Sequence, residues 1–200
     1  MVTKLLEGIN RFNETVVPER ESLFAELANG QSPATLFITC ADSRVDPSLI
    51  TQSEPGELFV VRNAGNIVPL LDESGSSPDG NAASIEYAVE ALNVTDIVVC
   101  GHSSCGAMGA LQDLGSVTGL PSVARWLEHS HELLDSPEGV DDLAALIERN
   151  VLLQLEHIAT YPAVKARLAD GSITLHGWVY DIGSGSVVAY DGTSFVEVTT

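Results

Sequence analysis

The stretch Asp96-Ile-Val-Val-Cys100-Gly101-His102-Ser-Ser-Cys105-Gly106-Ala-Met108 decides the fold. After Asp96, Ile97-Val-Val-Cys100 form a short apolar, mostly β-branched run, the pattern of a buried strand. Gly101 breaks that run, and Cys105 to Leu114 reads as a helix. A strand running through a polar turn into a helix is the building unit of an α/β fold, and such folds place their chemistry at the C-terminal strand ends. Thr35-Leu-Phe-Ile-Thr-Cys40 is a second strand of this kind, followed by Ala-Asp42-Ser-Arg44. If the two strands are parallel neighbours, both loops leave the sheet at one edge, and Cys40, His102 and Cys105 can converge.

Further along the chain, Glu57 to Arg62 reads as another strand and 66–80 as a loop rich in Pro, Gly, Ser and Asp. Ala82, Ile85, Ala88, Val89 and Leu92 recur at helical spacing. Helices are expected at 121–134, 139–159 and 162–169, then a strand from Ile173 to Asp181. Ser184-Gly-Ser signals a hairpin, with Val187 to Tyr190 returning. At the start, Leu5, Leu6, Ile9 and Phe12 line one face of a helix over 3–15, and Pro18 opens a second that ends at Gly30. The expectation is an α/β fold, a mainly parallel β-sheet flanked by helices, in one domain over 1–200 with a helical arm over 1–30. The arm's apolar stripe needs a cover, and a partner subunit is one candidate.

The composition narrows the function classes. The chain has 200 residues, 44% of them hydrophobic, and a formal net charge of −19. Such acidity repels phosphate backbones, so no nucleic-acid partner is expected. No apolar run reaches the ~18 residues of a membrane span, and the first residues lack the apolar core of a signal peptide. A cytoplasmic location is therefore expected. Three cysteines, Cys40, Cys100 and Cys105, make a disulfide framework improbable.

His102 and Cys105 lie three residues apart and can share one face of a turn. Two thiolates and an imidazole suit Zn²⁺, and three protein ligands leave a tetrahedral position open, as catalytic sites do. Blander readings stand beside this one. Cysteine is a common core residue, Cys-x-Asp-x-Arg also fits a strand-end ion pair, and His-x-x-Cys alone is a weak motif. Cys100 ends an apolar strand and its alternation points it away from His102. His129, His131, His157 and His176 read as surface or core.

The blocks CADSRVDP (40–47), GELFVVRNAGN (56–66), ASIEYAV (83–89), VVCGHSSCGAM (98–108) and LHGWVYDIGSGSVVAYD (175–191) resemble the β-class carbonic anhydrases, nearly from end to end. That resemblance implies a Rossmann-like sheet, a homodimer or larger homo-oligomer whose early helices lie across the neighbour, and one zinc ion per subunit on Cys40, His102 and Cys105. It implies reversible hydration of carbon dioxide to bicarbonate and a proton by zinc hydroxide, oriented by the pair Asp42 and Arg44. It also implies a substrate pocket of Gln31 from the neighbouring subunit with Phe59, Ala64 and Tyr87. Some bacterial members bind inhibitory bicarbonate with a tryptophan three residues before the first zinc cysteine. Phe37 stands at that place here, Thr39 replaces a glycine, and Arg62 alone matches, so a bicarbonate-gated closed form is not expected.

Competing readings are a carbonyl sulfide or carbon disulfide hydrolase on the same scaffold, and a catalytically silent zinc protein. A nucleotide-binding domain lacks G-x-G-x-x-G after the first strand and has no G-K-[ST] motif.

Overall fold

A computed structural model of the chain describes residues 2–72, 75–77, 79–135 and 140–198. Contacts divide the chain into two compact units, Met1–Ser32 and Pro33–Thr200.

The first unit is helical. α1 (Val2–Arg11) passes through a widened turn, Phe12–Val16, into α2 (Val17–Glu19), and α3 (Glu21–Leu27) follows. Pro18 sits in the first turn of α2, where its missing N–H costs nothing. Leu5, Leu6, Ile9 and Phe12 are exposed.

The second unit is built on a six-stranded sheet. Its strands are β1 (Thr35–Cys40), β2 (Leu58–Asn63), β3 (Asp96–His102), β4 (Thr174–Tyr180), β5 (Val187–Tyr190) and β6 (Phe195–Glu197). The order is β2-β1-β3-β4-β5-β6. The first four strands are parallel, and β5 and β6 complete the sheet antiparallel. β1 and β3 are direct neighbours, as convergence of their loops requires. Leu36 to Cys40 and Ile97 to His102 are buried throughout, as internal parallel strands demand.

Helices connect the strands: α4 (Pro47–Thr51), α5 (Gly80–Glu86), α6 (Gly106–Gln112), α7 (Pro121–Leu127), α8 (Leu143–Ala159) and α9 (Pro162–Ala169). The expected helix over 121–134 is α7 followed by a tighter 3-10 segment, Glu128–Leu134. Asp142 caps α8 by accepting from the N–H groups of Ala144 and Ala145; residue 139, the first of the expected helix over 139–159, lies outside the described residues. α4 was not expected, although Asp46 and Pro47 carry its start signals, with Asp46 accepting from Leu49 N–H. Among the described residues no helix is long and apolar enough to cross a membrane.

Alternation sorts the strand residues into packed groups. Leu36, Ile38, Ile97 and Val99 share a core with Ile85, Val89, Val151 and Ile158. Phe37, Val98 and Cys100 form another group with Trp178 and Tyr180, apart from the group that holds Cys40 and Cys105. Gly101 does not break β3, which runs on to His102. A Cβ there would stand 2.9 Å from Val151 Cγ2, and one on Gly177 would stand 3.0 Å from Val151 Cγ1. These two glycines let α8 lie close against β3 and β4.

Candidate metal centre

Each of the three clustered residues is set by a backbone feature. Cys40 is the last residue of β1 and His102 the last of β3. After His102 the chain turns through Ser104, whose φ is +56°, and brings Cys105 back in an extended conformation at the start of α6. Cys40 Sγ, His102 and Cys105 Sγ offer ligand atoms that all lie within 4.8 Å of one another, and all three residues are buried. A tetrahedral zinc site with ordinary bond lengths has ligand–ligand edges of about 3.5–3.8 Å, so the spacing fits.

The donor chemistry fits as well. His102 Nδ1 pairs with Ser103 O at 2.9 Å, which makes Nδ1 the protonated nitrogen and leaves the Nε2 lone pair free. That Nε2 is buried and has no hydrogen-bond partner. A buried imidazole nitrogen without a partner is costly unless a ligand fills the gap. All three cysteines are free thiols. The Cys105 thiol next to Cys40, with burial opposing, holds Cys40 well below the usual thiol range. The same contact, reinforced by burial, raises Cys105, while the N–H groups of Met108 and Ala107 draw it back down. Two sulfurs this close share one proton, and a cation between them would displace it. Cys100, by contrast, is pushed up to about 12 by burial and is an inert core thiol.

Asp42 and Arg44 stand in the loop after β1. Arg44 Nε donates to Asp42 Oδ1 at 2.9 Å and Nη2 donates to Oδ2 at 2.7 Å. The Arg44 N–H adds a bond to Oδ1 at 3.0 Å, and Nη2 also reaches Ser104 O at 3.2 Å. This bidentate clamp holds the Asp42 carboxyl well below the usual carboxylate range. Asp42 Oδ2 lies 3.9 Å from His102 Nε2, so the clamped carboxylate borders the cluster. Arg62 braces the loop beneath, donating to Cys40 O at 3.1 Å and to Asp42 O at 2.7 Å. Phe37 packs edge-on against Trp178 at 6.0 Å, and Thr39 Oγ1 donates to Cys100 O at 2.8 Å.

The other expected site residues are more scattered. Phe59, on β2, lies 6.0 Å from the ring of Tyr87. Tyr87 is 49% exposed and lines a cavity of about 620 Å³ with Ile85, Val89 and Tyr161. Ala64 lines a second cavity of about 330 Å³ with Trp126 and Asn81. Cys40, His102 and Cys105 line neither of these cavities. Gln31 belongs to the first unit and is exposed.

One group of residues carried no role in the sequence reading, where its His157 stood only as surface or core. Asn150, Gln154 and His157 of α8, with Tyr161 just beyond it, form a buried polar row that holds the backbone of 65–69. Asn150 Nδ2 donates to Gly65 O at 3.0 Å and Val68 N–H donates to Gln154 Oε1 at 2.8 Å. His157 Nδ1 pairs with Val68 O at 2.9 Å, and Tyr161 OH donates to Pro69 O at 2.7 Å. Gly65 N–H in turn donates to Cys40 Sγ at 3.4 Å. The available signal was polar residues at positions 150, 154, 157 and 161, on the face where helical spacing calls for apolar ones.

A mainly parallel α/β sheet that brings together two thiols and an imidazole, from two neighbouring strand ends and the helix start that follows, can hold a metal ion. The carbonic anhydrase family model matches residues 35–187, and the chain belongs to that family, in its β class. A carbonic anhydrase of Pseudomonas aeruginosa is 49% identical over 199 residues, covering 95% of this chain and 88% of its relative. One from Synechocystis is 47% identical over 94% of this chain and 71% of its own length. The solved β-carbonic anhydrase CcaA is similar with a TM-score of 0.92 and 45% identity, covering 100% of this chain and 92% of that one. The Coccomyxa β-carbonic anhydrase, solved with acetazolamide, has a TM-score of 0.81 and 32% identity over 94% of this chain and 85% of its own. The general reaction of the family is carbon dioxide hydration, catalysed by carbonate dehydratases, a class of lyase.

Proposed function

We propose that this chain hydrates carbon dioxide reversibly to bicarbonate and a proton, with one zinc ion per subunit held by Cys40, His102 and Cys105. The observation that carries the reading is the buried, partnerless Nε2 of His102 beside two free thiols. Bound there, zinc would supply Lewis acidity, which lowers the pKa of water from ~15.7 towards neutrality and would make hydroxide available at ordinary pH.

The protein's own groups do the rest. Asp42 accepts a hydrogen bond from the attacking oxygen and so aims its lone pair at the substrate carbon. Arg44 keeps Asp42 ionised by binding both carboxylate oxygens, and this also holds Asp42 back from serving as a fourth ligand. The substrate is small and apolar, so side chains of the type of Phe59, Ala64 and Tyr87 suit its approach. One amide donor, Gln31 of the partner subunit, suffices to orient it. The exposed Gln31, the half-exposed Tyr87 and the exposed apolar face of α1 all support completion by a second copy. Related solved structures include tetrameric β-carbonic anhydrases from Sordaria macrospora, with a TM-score of 0.78 and 29% identity over 99% of this chain and 98% of theirs. Three free thiols suit a reducing, cytoplasmic setting.

The test is stopped-flow carbon dioxide hydration by the Asp42→Asn variant. It should keep its zinc and lose about 10²–10⁴-fold in rate. Undiminished hydration would overturn the role of Asp42, and sulfide release from carbonyl sulfide at a higher rate than hydration would overturn the substrate.

A further inference from the structure

The metal cluster is tied to a second layer through the Ala64–Gly65 peptide. The N–H that donates to Cys40 Sγ at 3.4 Å belongs to the Ala64–Gly65 peptide. The carbonyl of that same peptide, Ala64 O, accepts from the indole Nε1–H of Trp126 at 2.8 Å. One peptide plane therefore links an indole donor to a sulfur acceptor. The next peptide is held too, since Gly65 O accepts from Asn150 Nδ2 at 3.0 Å. Gln154 fixes which way the Asn150 amide points by donating to its Oδ1 at 2.9 Å. Gly65 itself has little room to move: its φ is +83°, and a Cβ would stand 3.0 Å from Ala107 Cβ and 3.2 Å from Met108 Cε.

We propose that Trp126 and Asn150 are positioning residues for the metal centre, clamping the two peptides around Gly65 so that its amide is aimed at the Cys40 sulfur and limits the charge that thiolate gives the metal. The inference rests on Cys40 being a metal ligand. A hydrogen bond to a thiolate withdraws density from sulfur, and a peptide N–H donates more strongly when its own carbonyl accepts a bond. Two thiolates cancel the formal charge of a divalent metal and weaken it as a Lewis acid. Amide donors on the sulfurs restore part of that acidity, as a hydration site needs. Cys105 meets the same demand through the N–H groups of Ala107 and Met108. Cys40 lies at a strand end, with no helix start of its own, and takes its donors from the Asp42 N–H two residues on and from Gly65 of the clamped loop.

The experiment uses the full chain with cobalt(II) in place of zinc. The parent protein should show intense thiolate-to-cobalt charge-transfer absorption; without it, the assignment of Cys40 as a ligand fails, and the clamp with it. Trp126→Phe removes the indole donor. Its charge-transfer band should move to lower energy, and the Gly65 amide should exchange about tenfold faster. Benzothienylalanine at position 126 keeps the shape of the bicyclic ring without its N–H, and should give the same two changes even if the phenyl ring packs poorly. An unmoved band in both replacements overturns the proposal. Faster exchange with an unmoved band also overturns it, because Trp126 would then only anchor the loop. A band shift with Phe but not with benzothienylalanine overturns it as well, by assigning the effect to packing.

Discussion

Replacing Gln154 with methionine tests the polar row on α8 with little change of shape. Gln154 is 0% exposed, and methionine has nearly its length and volume, so the variant opens no large cavity. It does remove every polar contact of the side chain. Val68 N–H loses its acceptor at 2.8 Å, Asn150 Oδ1 loses a donor at 2.9 Å and Ser130 Oγ loses one at 3.1 Å. Ser130 and Asn150 keep their mutual bond at 3.3 Å, so Val68 N–H is the group left orphaned. One orphaned buried donor together with the two lost bonds amounts to a destabilisation of about 2–4 kcal/mol. The assay is urea unfolding of zinc-loaded protein at one fixed concentration, because subunit association and metal both shift the midpoint. With an unchanged slope near ~2 kcal/mol per molar, the midpoint should fall by roughly 1–2 M. A loss below about 0.5 kcal/mol would refute the reasoning, because it would mean that the loop of 65–69 does not depend on this row.

Two further outcomes follow from the geometry. Gly101→Ala drives a Cβ to 2.9 Å from Val151 Cγ2 and 3.2 Å from Ile147 Cγ2, and should cost about 1–3 kcal/mol in thermal unfolding while loosening the strand end that carries His102. Because Arg44 depresses the Asp42 carboxyl in the folded chain, the stabilisation by this pair is complete above about pH 4 and is lost as pH falls below it. The stability gap between the parent and Asp42→Asn, read from urea midpoints, should therefore close on acidification; a gap that widens below that pH would show that the clamp is not the source.

Local pattern carried much of this architecture. The apolar runs of β1 and β3, each ending in a metal-type ligand, gave both the parallel sheet and the convergence of Cys40, His102 and Cys105. Gly101 was misread because a glycine at a strand end looks like a break. Its reason is the close approach of α8, a contact between residues 101 and 151 that no local pattern contains. α4 was missed because five residues are too few for a periodicity, although its cap was visible at Asp46. β6 was missed because Phe195–Glu197 is a three-residue edge strand, set by pairing with β5. The support of the metal cluster was the least legible part. Asn150, Gln154 and Trp126 act on the backbone of 64–68, and such bonds leave no spacing rule in the chain.

The central claim, catalysis of carbon dioxide hydration at one zinc held by Cys40, His102 and Cys105, is tested most directly by titrating zinc into metal-free protein while following hydration by stopped flow. The account predicts negligible hydration without zinc, then a linear rise that breaks at one zinc per chain. Hydration at full rate before any zinc is added, or no hydration once one zinc per chain is bound, would contradict it.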